Sequence, residues 1–527
     1  MSPSAAAGPA PASRAAGVLL HLTSLPGDGG IGDLGDGAHE FLDWLEAAGQ
    51  SIWQMLPFQE PGFGASPYGA ASSFAGNRLL ISLTASACEE DGIVAGPAAP
   101  EPATPRLLEY EPVRRWKDES LLRMWQETRS RDAEGLRRRT DAFISSHPDW
   151  LPDWALYAAL KDELEGAPWT RWPEDLRRRQ PSALAAAGDR LRDQIDYHVF
   201  VQWLFDRQWR RLREAAHRRG VRLLGDLPIY PALDSADVWA HQELFDLDQD
   251  GRPLHVAGVP PDYFSPTGQL WGNPIYDWSR LAADGFDWWV RRLRFSLDRV
   301  DLLRLDHFRG FSAYWRVPGD AADARSGEWV EGPGTAFFDA VHDRLGSLPL
   351  VAEDLGVITP DVEELRRRYR LPGMKVLQFG FDEPDNEHLP HHHTPDHVVY
   401  TATHDNDTTR GWFDGLAEPA RRRVRDYLGP GAGPVSRALV RCAHHSVARL
   451  AIVPAQDLLD LGSDARMNTP GKAGGNWRWR LERGELSPAI GRELHRLTEL
   501  SGRLPVATAN GERSTSTGAG EVDADRV

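Results

Sequence analysis

The stretch with the clearest chemical potential is residues 304–311, which read RLDHFRGF. It closes an apolar run at residues 300–305, which predicts a buried strand. Residues two apart in an extended chain point to the same side, so Arg304 and Asp306 are expected to lie together. A neighbouring guanidinium lowers the pKa of a carboxyl group, so we expect Asp306 to be ionised and suited to act as a nucleophile or charge stabiliser. For this triplet alone, a structural ion pair at a strand end is the alternative.

The elements that must position these residues alternate between apolar strands and amphipathic helices. A strand, a helix and a second strand follow one another over residues 17–56, which is the order of a parallel βαβ unit. Eight strands are predicted in all, at residues 17–21, 52–56, 221–227, 300–305, 348–352, 374–379, 398–403 and 451–455. Eight such strands close a barrel, so we predict an α/β fold, a (β/α)8 TIM barrel with inserted, mainly helical subdomains.

The domain organisation follows from this pattern. We expect one catalytic domain at residues 17–504, with a helical insertion at about 84–191. A lid-like loop is expected at about 256–272, hinged at Gly258 and Gly268 and carrying Tyr263, Phe264 and Trp271 as a cover for a bound ligand. Residues 1–16 and 508–527 have the composition of disordered tails.

In a barrel of this kind the active site lies at the carboxyl ends of the strands. Those ends supply, in chain order, Tyr68, Asp226, Arg304 with Asp306, Glu353 with Asp354, His404 with Asp405, and Gln456 with Asp457. Five strands thus deliver a carboxylate towards one mouth. Such a cluster would repel itself unless its substrate develops positive charge, as in the oxocarbenium-like transition state of glycoside hydrolysis or transfer.

The surroundings of the acids suggest different roles. Glu353 follows an apolar run and lies near other acids, so burial and like charge should raise its pKa, as a general acid requires. Asp405, after His404, would stabilise a distorted sugar through its hydroxyl groups. Taken singly, Glu353 or Asp405 could equally be a solvated or capping acid. Three acids on strands four, five and seven of an eight-strand pattern predict an active site.

Several longer motifs resemble those of one known family. They include GVLLHLTSLPG, SPYGAASSFAGN, GDLPIY, RLDHFRGFSAYW, VAEDLGVITPDV, THDNDTTRGW and GNWRWRL. These motifs are similar to those of the amylomaltases, the 4-α-glucanotransferases of glycoside hydrolase family 77. The resemblance spans residues 17–504 and implies retaining transfer of α-1,4-glucan segments to the 4-hydroxyl group of glucose or another α-1,4-glucan, including maltooligosaccharides.

The resemblance also implies roles for single residues. Asp306 is expected to be the nucleophile, Glu353 the general acid/base and Asp405 the transition-state stabiliser, with no cofactor and no metal. Substrate contacts are expected from Tyr68, Asp226, Trp271, Arg304, His404, Asn468, Ser66, Tyr263 and Phe63. Relatives commonly carry Tyr and Asp where this chain has Phe63 and Ala65, which keeps an aromatic face at that position but loses a hydroxyl contact.

Composition excludes several other classes of protein. The chain has 77 acidic and 60 basic residues and a net charge of −17, which argues against nucleic acid or an anionic membrane as partner. No apolar run approaches membrane-spanning length, and the N-terminal segment lacks the apolar core of a signal peptide. Cys88 and Cys442 are the only cysteines and lie far apart in sequence, which fits a reducing cytoplasm.

Three other functions are compatible with parts of this pattern. An α-1,4-glucan hydrolase could use the same scaffold. A noncatalytic glucan-binding protein would be expected to have lost at least one of the three acids. A metal-dependent barrel hydrolase is suggested by the run HDND at 404–407 and by three histidines at 391–393, although the latter lie in a polar loop and are expected to be solvated.

Overall fold

The computed structural model describes residues 14–88, 91–102, 104–261, 265–472 and 474–505. The strands are β1 (Ala15–Leu19), β2 (Ile52–Gln54), β3 (Arg222–Leu227), β4 (His255–Val259), β5 (Gln269–Pro274), β6 (Leu302–Leu305), β7 (Ala313–Pro318), β8 (Glu328–Glu331), β9 (Leu350–Ala352), β10 (Gly373–Val376), β11 (His397–Tyr400) and β12 (Leu450–Pro454). The helices are α1 (Asp36–Ala47), α2 (Ala85–Cys88), α3 (Tyr110–Arg131), α4 (Ala133–Ser146), α5 (Leu151–Glu163), α6 (Glu174–Arg177), α7 (Pro181–Arg190), α8 (Arg192–Arg218), α9 (Ala236–Ala240), α10 (Trp278–Ala283), α11 (Asp287–Leu297), α12 (Gly334–Leu345), α13 (Pro360–Arg368), α14 (Thr409–Gly415), α15 (Glu418–Leu428), α16 (Val435–His445), α17 (Ala455–Leu458) and α18 (Pro488–Leu500).

Eight parallel strands form the barrel, in the order β10, β11, β12, β1, β2, β3, β6, β9. The ring approaches closure between β9 and β10, where the N–H group of Ala352 donates to the carbonyl oxygen of Pro372 at 2.8 Å. Each of the eight strands predicted from the sequence is present, and the predicted (β/α)8 barrel is confirmed. In register, Asp226 of β3 lies beside Arg304 of β6, which places two of the predicted site residues on adjacent strands.

Helices cover the outside of the barrel because each carries one apolar face. Helix α1 buries Phe41, Leu42 and Leu45, and the ring of Phe41 packs edge-on against Trp53 of β2, with 5.0 Å between centroids. Burying one such large side chain contributes about 1.5–3 kcal/mol. The long helix α8 buries its apolar side in the same way and delivers the chain into β3.

The inside of the barrel is layered because alternate strand residues point inwards. An apolar layer is formed by Ile52, Leu224, Leu302, Val398 and Leu450. Two residues further along four of these strands stand Gln54, Asp226, Arg304 and Tyr400, all buried. The hydroxyl group of Tyr400 donates to Oε1 of Gln54 at 2.9 Å, so the polar layer is bonded internally. The polar groups at the mouth of the barrel therefore lie directly above a layer of buried apolar side chains.

The sequence predicts a lid-like loop at 256–272. Its two flanks are instead the strands β4 and β5. They pair antiparallel with each other, and β4 also pairs with β7 in a four-stranded sheet ordered β5, β4, β7, β8. Gly258 is paired on both sides, with Leu270 of β5 and Trp315 of β7, and a Cβ atom there would lie 2.4 Å from the carbonyl oxygen of Gln269 across the hairpin. The pairing with β7 joins distant parts of the sequence, so local composition did not reveal it. Tyr263 and Phe264 lie outside the described residues.

The predicted boundaries at the chain ends change slightly. Strand β1 begins at Ala15, where Ala15 pairs with Leu450 of β12, so the predicted tail at 1–16 extends two residues too far. Residues 1–13 and the predicted tail at 508–527 lie outside the described residues. Helices α2–α7 fall within the segment predicted as a helical insertion. Within the described ranges, no helix has the length and apolar character needed to cross a bilayer.

Candidate active site

Four strands or their following loops bring the predicted charged residues to the carboxyl end of the barrel. Asp226 lies on β3 and Arg304 on β6, and Asp306 is the first residue after β6. Glu353 follows β9 and Asp405 lies in the loop after β11. The N–H groups of Asp306 and Glu353 donate to the carbonyl oxygens of the neighbouring strand ends, Leu227 and Leu305, each at 3.0 Å. The ladder of the barrel therefore continues into the site and fixes both acids.

Arg304 is the cation at the centre of the site. Its Nη1 atom donates to both carboxylate oxygens of Asp226, at 2.8 and 2.7 Å, and lies 3.0 Å from Oδ1 of Asp306. Its side chain is 4% exposed, and that of Asp226 is fully buried. Burial disfavours the charge, but Asp226 and then Asp306 outweigh it and raise the pKa of Arg304 well above its ordinary value. The guanidinium is therefore a permanent positive charge between two carboxylates.

The electrostatic setting of Asp306 differs from the prediction. Burial raises the pKa of Asp306 to about 7; Arg304 acts in the opposite direction, whereas Asp226, Glu353 and Asp405 raise it further. The expected proximity of Arg304 and Asp306 is confirmed, but the expected lowering of the pKa is wrong. The reason is that three neighbouring carboxyl groups and the loss of water together outweigh one guanidinium.

Glu353 is held by the backbone at both of its oxygens. The N–H group of His307 donates to Oε2 at 2.7 Å, and the N–H group of Leu355 donates to Oε1 at 3.0 Å. Burial raises the pKa of Glu353, while Arg304 and the two backbone donors oppose the rise. The predicted direction of this shift is confirmed. Two fixed donors also set the orientation of the carboxyl group.

Asp405 is the most strongly ionised acid of the site. Its Oδ1 atom accepts a hydrogen bond from Nδ2 of Asn468 at 2.6 Å, and its Oδ2 atom lies 3.3 Å from Nε2 of His404. Burial would raise the pKa of Asp405, but His404 and then Asn468 outweigh it and hold the pKa well below its usual range. Its backbone carbonyl accepts from Arg466 at 2.6 Å, which fixes the loop. The carboxylate is still 44% exposed, so it is available to a ligand.

Tyr68 connects the two halves of the site. Its hydroxyl group donates to Oδ2 of Asp226 at 2.8 Å and lies 2.8 Å from Nε2 of His404. Nε2 of His404 also lies 3.3 Å from Oδ2 of Asp405, so it stands between the Tyr68 hydroxyl group and that carboxylate. Asp405 outweighs burial and raises the pKa of His404. One hydrogen-bonded network therefore runs from Arg304 through Asp226, Tyr68 and His404 to Asp405.

The remaining predicted substrate contacts lie around this network. Trp271 is 37% exposed on β5, and its ring meets the ring of His307 edge-on, with 4.8 Å between centroids. The hydroxyl oxygen of Ser66 accepts from the N–H group of Tyr68 at 3.3 Å and so shapes the loop that presents Tyr68. Phe63 begins a short 3-10 helix at Phe63–Ala65, but its side chain lies outside the described part, as does the whole of Tyr263.

Two acids at the predicted strand ends have structural partners instead. Asp457 is fully buried and accepts from the hydroxyl groups of Thr401 and Thr409, at 2.5 and 2.7 Å. Asp354 accepts from the N–H group of Met374 at 2.6 Å and pairs with Arg366. The expectation that a fifth strand contributes a carboxylate to the mouth is therefore wrong.

Sequence reasoning missed two residues of the site. The ring of Trp477 lies 5.8 Å from that of Tyr68 and 6.1 Å from that of His404. His307 contributes the backbone donor to Glu353. Trp477 lies within the quoted motif GNWRWRL, which marked the segment but not the residue. A backbone N–H group leaves no signal in the sequence, so the part that His307 plays could not be found there.

The three histidines at 391–393 have separate protein partners. Nδ1 of His391 lies 3.0 Å from the hydroxyl group of Tyr427, and His392 contacts a backbone carbonyl. His393 is buried, with Nδ1 2.7 Å from the hydroxyl group of Ser446, so the expectation that the whole run is solvated is wrong. Among the residues described, no three His, Cys, Asp or Glu side chains form a group that could hold a metal ion.

Comparison with known proteins identifies the family. Residues 20–486 match the sequence model of the family described as 4-alpha-glucanotransferase. The 4-alpha-glucanotransferases of Synechocystis sp. and Thermus thermophilus are each 47% identical to this chain, over 93% of it and over 98% and 99% of their own lengths. The solved amylomaltase from Streptococcus agalactiae in complex with acarbose matches with a TM-score of 0.86 and 36% identity, over 93% of this chain and 100% of that one. The chain therefore belongs to the 4-alpha-glucanotransferases of glycoside hydrolase family 77 and is an enzyme of that class.

Proposed function

We propose that this enzyme transfers α-1,4-glucan segments to the 4-hydroxyl group of glucose or of another α-1,4-glucan, with retention, through a covalent glycosyl ester on Asp306. The observation that carries the proposal is the convergence of three acids that have three different sets of partners. Asp306 lies against a permanent cation, Glu353 has a raised pKa and fixed donors, and Asp405 is firmly ionised. The acarbose complex of the streptococcal relative supports a cleft that takes maltooligosaccharides.

The first displacement forms the covalent intermediate. An ionised oxygen of Asp306 attacks the anomeric carbon of the donor, and the bond from that carbon to the glycosidic oxygen breaks. The proton of Glu353 passes to that oxygen, so the departing chain leaves with a free 4-hydroxyl group. Positive charge develops on the sugar ring between these events. Asp405 is exposed to the cleft and ionised, and it would stabilise that charge.

In the second displacement the acceptor takes the place of the departed chain, and Glu353 acts as a base. The 4-hydroxyl group of the acceptor attacks the anomeric carbon, Glu353 takes its proton, and the ester bond to Asp306 breaks. Both acids return to their starting states. Retention of this kind places the two carboxyl groups about 5–5.5 Å apart.

The starting state of the reaction needs one proton shared between Asp306 and Glu353. Both pKa values are raised by burial, and each carboxyl group repels the ionised form of the other. The two groups therefore titrate as a pair that keeps one proton over a range of pH. The backbone donors at Glu353 and the guanidinium at Asp306 orient the two carboxyl groups within this pair.

We further propose that the surrounding side chains bind the substrate. Tyr68, Asp226, Arg304, His404 and Asn468 form the network that ends at Asp405, and they present hydrogen-bonding groups to sugar hydroxyls. Exposed Trp271 offers a flat face for a sugar ring. Ser66, Phe63 and Tyr263 stay proposed contacts from the family resemblance.

The hairpin of β4 and β5 is proposed to act as the cover that keeps water from the intermediate. It is part of an antiparallel sheet, and its strand β5 brings the ring of Trp271 against that of His307, the residue after Asp306. Transfer is favoured over hydrolysis when such a cover excludes water until an acceptor binds.

Incubation with maltotriose tests the reaction. The enzyme is expected to release glucose and to build longer oligosaccharides, visible as a ladder by chromatography. The variant Asp306→Asn should lose both by about four orders of magnitude, since it lacks the nucleophile. Asp301→Asn serves as a matched control because Asp301 lies at the opposite end of β6 and pairs with Arg213 and His217.

The products separate the competing functions. Shorter oligosaccharides without any longer ones would show a hydrolase on this scaffold and contradict transfer. Unchanged maltotriose under conditions where the folded protein binds it would leave a glucan-binding protein. Full activity in Asp306→Asn would show that Asp306 is not the nucleophile.

The substitution Trp271→Ala tests the cover. Opening this side of the cleft is expected to raise the ratio of hydrolysis to transfer several-fold, measured as reducing ends gained per transfer event from maltotriose. Trp329→Ala is the control, because Trp329 is a similarly exposed tryptophan on β8 of the same sheet. An unchanged ratio in Trp271→Ala would sink the proposed role of the hairpin.

The pH dependence of kcat/KM tests the charge arrangement. Asp306 must be ionised to attack, so activity should fall as the pH drops through the first pKa of the Asp306–Glu353 pair, which burial raises above the usual range of a carboxyl group. The variant Asp226→Asn removes a charge that raises that pKa, so the acid limb should move to lower pH. Asp301→Asn should leave the limb in place. If the acid limb of Asp226→Asn stays at the same pH or moves to higher pH, the assigned effect of Asp226 on the pKa of Asp306 is contradicted.

A further inference from the structure

Residues 306–308 are bonded to the site by three successive backbone N–H groups. That of Asp306 donates to the carbonyl oxygen of Leu227 at 3.0 Å. That of His307 donates to Oε2 of Glu353 at 2.7 Å, and that of Phe308 donates to the backbone carbonyl of Glu353 at 3.1 Å. The chain therefore turns sharply at His307, from the proposed nucleophile to the proposed acid/base.

The turn requires an uncommon backbone conformation. His307 has φ 52° and ψ 49°, which is the left-handed region that residues with a Cβ atom disfavour. Backbone strain of this kind persists only where the surroundings fix it, and here the bonds of residues 306 and 308 do so on either side. The left-handed turn is what aims the N–H group of His307 at the side chain of Glu353.

The ring of His307 is packed against neighbouring side chains and stays uncharged. It meets the exposed ring of Trp271 edge-on, and its Cδ2 atom would lie 3.1 Å from a Cβ atom placed on Gly310. Burial, with a smaller effect of Arg309, lowers the pKa of His307 to about 3, so the ring is neutral at working pH. Within the part of the chain that the structure describes, its buried Nε2 atom has no hydrogen-bond partner. The ring therefore acts as a support for Trp271.

We propose that His307 is a positioning residue that links the Trp271 side of the cleft to Glu353. The inference rests on the proposed role of Glu353 as acid/base. Glu353 gives its proton to the departing chain and takes one from the incoming chain, so the sugar beside it is the leaving or acceptor sugar. The ring of Trp271 contacts the ring of His307, so the His307 ring supports binding of the acceptor sugar. The backbone N–H group of the same residue orients Glu353.

The two tasks of His307 can be separated by substitution. Asparagine tolerates the left-handed region but lacks the ring, whereas valine lacks the ring and strongly disfavours that region. His307→Asn should therefore raise KM for an acceptor glucose about tenfold, with kcat and the pH limbs little changed. His307→Val should also lower kcat at least tenfold, because the N–H group no longer faces Glu353.

The basic limb of the pH profile of kcat/KM shows whether the backbone N–H group of residue 307 still donates to Glu353. Losing the N–H donor removes an interaction that lowers the pKa of Glu353, so in His307→Val the limb should move to higher pH. The charged groups that act on Glu353 are Arg304, Asp306, Asp354 and Asp405, and these variants leave all four unchanged. A general loss of stability would lower activity without moving this limb.

The experiment measures both variants with maltotriose as donor and glucose as acceptor, beside His307→Gly, Trp271→Ala and Glu353→Gln. His307→Gly should match the Asn variant and keeps the test decisive if the Val variant does not fold. A raised acceptor KM shared by the Asn, Gly and Trp271→Ala variants supports the proposal. An unaltered acceptor KM in the Asn and Gly variants, or a limb that moves equally in Asn and Val, overturns it. Undiminished activity in Glu353→Gln would instead overturn the proposed function.

Discussion

The buried contact of Arg304 with Asp226 and Asp306 is the interaction on which the site depends. Four carboxyl groups converge on one mouth, and the guanidinium is the cation that contacts two of them directly. Without it, burial and mutual repulsion would protonate the cluster or force it apart. With it, Asp226 has a buried cationic partner and Asp306 is held in place, while burial and the neighbouring acids still raise the pKa of Asp306.

The barrel supplies what this charge cluster needs. Register between β3 and β6 sets Asp226 beside Arg304, and the apolar layer beneath them excludes water from below. The loops add the finer control. Tyr68 carries the network across to His404 and Asp405, and backbone N–H groups orient Glu353. Rigid strands thus position the charges, and loops set their individual protonation states.

The sequence was sufficient for the barrel and for the acids, because each strand is a local apolar run and each acid lies near the carboxyl end of one. It was insufficient where distant segments meet. The sheet of β4, β5, β7 and β8 depends on pairing across about sixty residues of chain, and the role of Asp457 depends on Thr401 and Thr409. The net pKa of Asp306 depends on a sum over four neighbours. Such sums and pairings become visible only when the chain is folded.

The proposed covalent ester between Asp306 and the donor sugar can be detected directly. A fluorinated glucosyl fluoride whose ring fluorine slows both displacements would let that ester accumulate, since fluorine destabilises the positively charged transition states. The protein would then be digested and its peptides analysed by mass spectrometry. One added sugar is expected on the peptide that contains Asp306. A sugar on any other residue, or no label while the same reagent is slowly turned over, would contradict it.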